Sequence, residues 1–132
     1  LQTQWESQGM RQECVFIGLR RDKADQNHRI NLRATKMMDA GLVEEVRSLL
    51  AEPRPLSKQA AAAVGYAEII RHLDGEWTLK EAFERIKINT RRLAKSQRTW
   101  QKRWRQVQWF DCSPEETPEQ IAERILQEVS FR

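Results

Sequence analysis

Lys87-Ile-Asn-Thr-Arg-Arg-Leu-Ala-Lys-Ser-Gln-Arg-Thr-Trp-Gln-Lys-Arg-Trp-Arg105 carries eight basic side chains and no acid. The chain as a whole is +4 at pH 7 against +8 in this stretch, so the rest of it carries −4. The positive charge is local. A run of like charge ordinarily signals a disordered or solvated tail. Here Phe83, Ile86, Thr90, Leu93, Gln97, Trp100 and Trp104 recur at alternating spacings of three and four, which is one face of a helix. Arg91, Lys95, Arg98, Lys102 and Arg105 form a second stripe one or two residues beyond that seam, starting about 100° around the axis. The spacing predicts a helix that packs along one flank and offers cations to something anionic along the next.

Working outward, Thr78-Leu-Lys-Glu81 reads as a capping box that launches this helix. Unbroken over 78–105 it would span about 28 residues and ~42 Å. Its acids, Glu81 and Glu84, lie near the start and its cations crowd the end, both of which suit the helix dipole. Upstream, Ser57 caps a predicted helix through Ala60–Leu73 that ends at Asp74-Gly75. Glu52-Pro-Arg-Pro-Leu56 separates it from a helix with the stripe Leu42, Val43, Val46, Leu49 and Leu50. Gly41 ends a further predicted helix over 25–40. Cys14–Leu19 and Val107–Asp111 read as short strands, and Thr117-Pro-Glu-Gln120 starts a last amphipathic helix. The fold class is therefore mainly α with two short strands. Two strands alone do not make a stable sheet, so they are expected to complete one whose other strands lie elsewhere.

At 132 residues, 39% hydrophobic and 32% charged, the chain suits one globular domain. No apolar run approaches a membrane span and no signal peptide opens it. It begins at Leu1, and residues 1–13 read as the polar remnant of an upstream segment, with the domain over 14–132. Cys14 and Cys112 stand apart, and neither they nor His28 and His72 show ligand spacing, so no metal site within this chain and a reducing cytoplasm are expected. The glycines form no GxxxxGK[ST] loop, and no Ser-His-Asp or HExxH pattern appears.

Three segments could carry chemistry. Lys95-Ser96-Gln97-Arg98-Thr99-Trp100 offers ammonium, amide, hydroxyl and guanidinium donors beside an indole, which suits phosphates and an unpaired base. The alternative is that Trp100 and Trp104 are core and the helix is a solvated structural element. Thr90 and Gln97 argue against a plain core, because polar groups on the seam need partners. Arg29 and Arg33, four apart, share a face and would suit a phosphate or diphosphate, or else form an ordinary surface pair. Gly65, within Ala62-Ala63-Val64-Gly65-Tyr66-Ala67, sits in an otherwise good helix and implies close backbone approach by another helix or a ligand. Tyr66 could turn a hydroxyl or ring toward the same partner.

These pieces in this order resemble the C-terminal half of the tRNA dimethylallyltransferases, also called isopentenyltransferases. The matching stretches are Phe16-Ile-Gly-Leu19, Arg29-Ile-x-x-Arg33 with Met37, Gly41-Leu-Val-Glu-Glu-Val46, and Leu56-Ser-x-Gln-Ala60. They continue with Val64-Gly-Tyr-x-Glu68, Thr90-Arg-x-Leu-Ala-Lys95, Gln97-x-Thr-Trp100 and Trp109-Phe-Asp111. The resemblance implies the C-terminal helical half of an α/β phosphate-loop-type tRNA prenyltransferase. It implies transfer of a dimethylallyl group from its diphosphate to N6 of the adenosine 3′ to the anticodon. The base is flipped into a channel, with Mg²⁺ on the diphosphate, held mainly through the missing half. Arg33, with Arg29 near, would steady charge on the leaving diphosphate. Ala62, Ala63, Val64, Gly65, Tyr66 and Ala67 would touch the tRNA anticodon stem-loop. Arg91, Lys95, Ser96, Gln97, Arg98, Thr99, Trp100, Gln101 and Lys102 would do so from the basic helix.

Where the family has Lys-Arg-Gln, this chain has Lys95-Ser-Gln97, so one phosphate contact is missing or comes from Arg98. The resemblance also implies that the phosphate-binding loop and general-base Asp belong to an N-terminal half that this chain lacks. The expectation is a fragment, truncated frame or split enzyme, monomeric or paired with that half, and inactive or nearly so alone. A non-catalytic RNA-binding helical module derived from the family is the other reading.

Overall fold

The computed structural model describes residues 15–104 and 106–129. They form two compact units, one over 23–102 and one from 103 onward together with the residues before 23. The first is all helical: α1 (Lys23–Asp39), α2 (Leu42–Ala51), α3 (Lys58–Ala61), α4 (Tyr66–Leu73) and α5 (Leu79–Gln101). Its core is Ala34, Leu42, Val46, Ile69, Ala82 and Ile86, with Val46 and Ile69 fully buried. Met37, Tyr66, Trp77 and Phe83 pack around that centre. The residues that bury are those at helical spacing, so hydrophobic burial selects each helix's inner face. The guanidinium groups of Arg71 and Arg85 lie over the Trp77 indole, 4.8 and 5.4 Å from the ring centroid.

The second unit holds β1 (Phe16–Arg21), β2 (Val107–Cys112) and α6 (Pro118–Glu128). The strands pair in parallel, from Phe16 opposite Val107 to Arg21 opposite Cys112. Gly18 lies under the ring of Trp109, where an added Cβ would come within 2.5 Å. Arg20 grips Asp111 across the ladder through two bonds of 2.6 and 2.8 Å. That pairing holds the Asp111 carboxyl below its usual range. Phe110, Cys112, Ile121 and Val129 form the buried side.

Several boundaries differ from the sequence expectation. The first strand begins at Phe16 and runs two residues past Leu19, and Cys14 and residues 1–13 lie outside the described residues. The helix expected from Ser57 to Leu73 breaks into α3 and α4, because Gly65 takes φ 103° and ψ −58°, which no α-helix contains. The basic helix stops at Gln101 and not at Arg105, which lies outside the described residues. Its last turns hold cations with no acid to offset like-charge repulsion at i, i+4. Trp104 leaves the helix, and its ring packs on Phe16 at 5.2 Å. No helix among the described residues is long and apolar enough to cross a membrane.

The capping box at the start of α5 forms as expected. Glu81 accepts hydrogen bonds from the Thr78 backbone N–H and hydroxyl, each at 2.8 Å. The Thr78 backbone bond, with the hydroxyl bond second, holds the Glu81 carboxyl below its usual range. A carboxyl depressed by folding stabilises the fold above its unfolded value, and that contribution is lost as pH falls through the folded value. Glu81→Gln keeps the cap but removes the titration. Its denaturation midpoint should therefore fall less steeply than wild type between about pH 5 and pH 2. Identical slopes would show that the cap carries no charge-dependent stability.

Candidate nucleic-acid interface

Gln26, Ile30, Arg33 and Met37 are spaced four, three and four along α1, and all four line a cleft against α5. From the other side come Ile86, Thr90, Leu93 and Gln97, with Val64 closing one wall. The cavity is about 380 Å³, within the range of small-ligand sites. Its walls are mostly aliphatic, and the polar groups on them are few. The expected packing seam of α5 therefore divides. Ala82, Ile86 and Ala94 bury, whereas Leu93 is 49% and Trp100 57% exposed. Leu93 and Gln97 line the cleft and so border open space. Thr90 resolves its own polarity by donating to the Ile86 carbonyl at 2.7 Å, and so does not require a ligand.

The cationic flank turns partly toward α1. Arg91 donates to the Asn31 side-chain oxygen at 2.6 Å, and its buried Nε has no hydrogen-bond partner. Arg98 donates to the side-chain oxygen of Gln26, on the cleft wall. Lys95, Ser96, Gln97, Thr99, Gln101 and Lys102 are exposed, and Thr99 donates to the Lys95 carbonyl. Among the described residues, Arg91, Arg92, Lys95, Arg98 and Lys102 form no ion pair, although Lys87 is held by Glu84 at 2.5 Å. The acids of α5 all lie in its first two turns, so its net positive charge is concentrated in the last three.

Arg29 and Arg33 part company. The Arg29 Nε bonds both oxygens of Asp25, at 3.0 and 3.1 Å, so its charge is already met. Arg33 lines the cleft and, among the described residues, has no acidic partner. The acid that neutralises Arg29 lies at i−4, a spacing readable in the sequence.

In the turn before α4, Ala62, Ala63 and Val64 are exposed, Gly65 is buried and Ala67 is half-buried. An added Cβ on Gly65 would meet only the Met37 Cε, at 3.7 Å, so the glycine answers to a positive φ and not to a close approach. The Tyr66 hydroxyl donates to Glu45 on α2, which raises its pKa, and its ring packs on the core instead of the cleft. Two residues that sequence reasoning passed over matter here. Glu68, 3% exposed, accepts from the Gly65 N–H and from the Asn89 side-chain amide, each at 2.7 Å. The glutamate three residues after a glycine that starts a helix is a capping signal, but its link to Asn89 was not legible.

A family model described as IPP transferase matches residues 1–104. This chain belongs to the IPP transferase family. Over 116 residues it is 40% identical to the tRNA dimethylallyltransferase of Alkaliphilus oremlandii, covering 88% of this chain and 37% of that protein. It is 44% identical over 115 residues to the one from Carboxydothermus hydrogenoformans, covering 87% of this chain and 36% of that protein. The tRNA isopentenylpyrophosphate transferase structure from Bacillus halodurans superposes with a TM-score of 0.74 at 36% identity, covering 83% of this chain and 36% of that one. The Staphylococcus epidermidis structure gives 0.80 at 25% identity, covering 97% and 42%. The chain thus spans little more than a third of the curated relatives' length. Its mainly helical fold with two parallel strands is that of the C-terminal helical part of the family.

The backbone at Gly65 yields a direct test. Gly65→Ala adds no clash but forces a side chain into a region of φ that only glycine occupies freely. It should cost about 1–3 kcal/mol in unfolding free energy. A loss below about 0.5 kcal/mol would mean that the turn relaxes to another conformation.

Proposed function

We propose that the protein to which this chain contributes transfers a dimethylallyl group from dimethylallyl diphosphate to N6 of the adenosine beside the anticodon of tRNA, in the cytoplasm. The observation that carries this reading is the set of unpaired cations at the end of α5, beside a cleft that holds the unpaired Arg33. Relatives named as tRNA dimethylallyltransferases support the transfer of that group to tRNA. The exposed Lys95 and Lys102, with Arg98 beside them, bind the tRNA backbone by neutralising phosphates and releasing counterions. Trp100, 57% exposed one turn beyond Gln97, offers a ring face for an unstacked base. The cleft receives the extruded adenine.

Arg33 then acts at the leaving group. Nucleophilic attack by N6 on the allylic carbon breaks the carbon–oxygen bond, the electron pair departs on the diphosphate, and N6 gives up a proton to a base outside the residues that line the cleft. A fixed guanidinium beside that oxygen favours the transition state, where the charge is larger than in the bound substrate. Arg29, already bonded to Asp25, contributes less than the sequence alone implies. Among the described residues, no group of three His, Cys, Asp or Glu side chains could hold a metal ion. Mg²⁺ would accordingly be carried by the diphosphate oxygens and by residues outside those described.

In the complete enzyme, Arg33→Ala should lower kcat by about 100-fold or more while changing tRNA affinity little. Unchanged turnover would remove Arg33 from the leaving-group role. Lys95→Ala combined with Arg98→Ala should weaken tRNA binding and flatten the log–log salt dependence by about 0.7–0.9 for each phosphate no longer neutralised. An unaltered slope would mean that tRNA lies elsewhere. Retained RNA binding with no transfer activity in the intact protein would favour the non-catalytic module.

A further inference from the structure

We propose that Glu68 and Asn89 form a clip that sets the width of the cleft, making both positioning residues for the base that enters it. The proposal rests on the functional reading above. Among the described residues, Glu68 is the sole charged side chain in the buried set, and no cation pairs with it. A carboxylate so placed is costly unless both oxygens are satisfied. They are, by donors on two different walls. One is the Gly65 N–H at 2.7 Å, which belongs to the peptide joining Val64 to Gly65. Holding that N–H fixes the peptide plane that presents Val64 to the cleft. The other is the Asn89 amide at 2.7 Å, on α5 between Ile86 and Thr90, both of which line the opposite wall.

A cap alone would need only the Gly65 bond. The second bond joins the turn to α5, so the separation between Val64 and the α5 wall follows from one carboxylate. Glu68 does not line the cleft, so it is out of reach of a substrate there as a proton acceptor. Its role is geometric. Loosening the clip should disturb seating of the base and leave phosphate contacts on α5 intact.

The test is a pair of substitutions in the full-length enzyme. Asn89→Asp sets two carboxylates against each other and opens the clip. It should lower kcat/KM for tRNA by about 10- to 100-fold, the scale of a misplacement near 1 Å. The tRNA Kd should change by less than about threefold and its salt slope should not change, because base seating and phosphate contact are separate terms. Combining Asn89→Asp with Glu68→Gln restores the pairing with roles exchanged. The introduced amide accepts from Gly65 and donates to the introduced carboxylate. Activity should return to within about threefold of wild type, since the double-mutant cycle isolates that one contact. Should the single variant fail to fold, Asn89→Ala removes the donor without adding charge and should show the same loss of kcat/KM. Wild-type kcat/KM in either single variant, or no recovery in the combined one, overturns the clip. If Lys95→Ala with Arg98→Ala also leaves tRNA affinity intact, the functional reading itself has failed; if that variant loses affinity, only the clip has.

Discussion

The anchoring of α5 by its first half is the constraint on which the helical unit depends. Ala82 and Ile86 are buried against Ile69, Val46 and Ala34, so the helix is fixed where its acids and bases nearly cancel. Burial of that kind stabilises by about 25 cal/mol per Å² of apolar surface. The charged half can then extend without acids to hold it. A helix whose cations were paired along its length would be more stable in isolation and would have less to offer a polyanion. The distribution of acids, Glu81 and Glu84 at the start and none after, separates a structural half from a binding half.

The cleft lies along the charged half of α5. The α1 stripe of Gln26, Ile30, Arg33 and Met37 faces Ile86, Thr90, Leu93 and Gln97 across it. Arg98 and Arg91 bridge to α1 through neutral amides, and not through carboxylates. Neutral partners hold the helices in register while leaving the positive charge uncancelled.

Much of this architecture was legible from patterning. The capping boxes at Thr78 and Thr117 and the stop at Gly41 follow from local rules and form as expected, and the stripe of α2 buries Leu42 and Val46 but leaves Leu50 exposed. The misses share a cause. At Gly65 the alanines on either side favour helix, and they outweigh in the pattern the one local sign of the turn, the glutamate at position 68 that caps the Gly65 N–H. At Trp104 an alternating spacing of three and four continued past the true end of the helix, because ring packing on Phe16 outweighs one more helical turn. For the site, the i, i+4 spacing located both Arg29 and Arg33, and Asp25, one turn before Arg29, already marked which of the two is met. Local pattern finds elements and candidate groups. Which charge is already satisfied is decided by neighbours in space.

The parallel ladder has a kinetic corollary. Arg20 and Asp111 are 91 residues apart, whereas the helices between them are joined by short connections. Closing so long a loop is entropically slow, and helical segments form orders of magnitude sooner. The ladder is therefore the late event of folding. Until its register locks, β1 and β2 present unpaired backbone amides and carbonyls, the condition under which extended segments recruit strands from other chains.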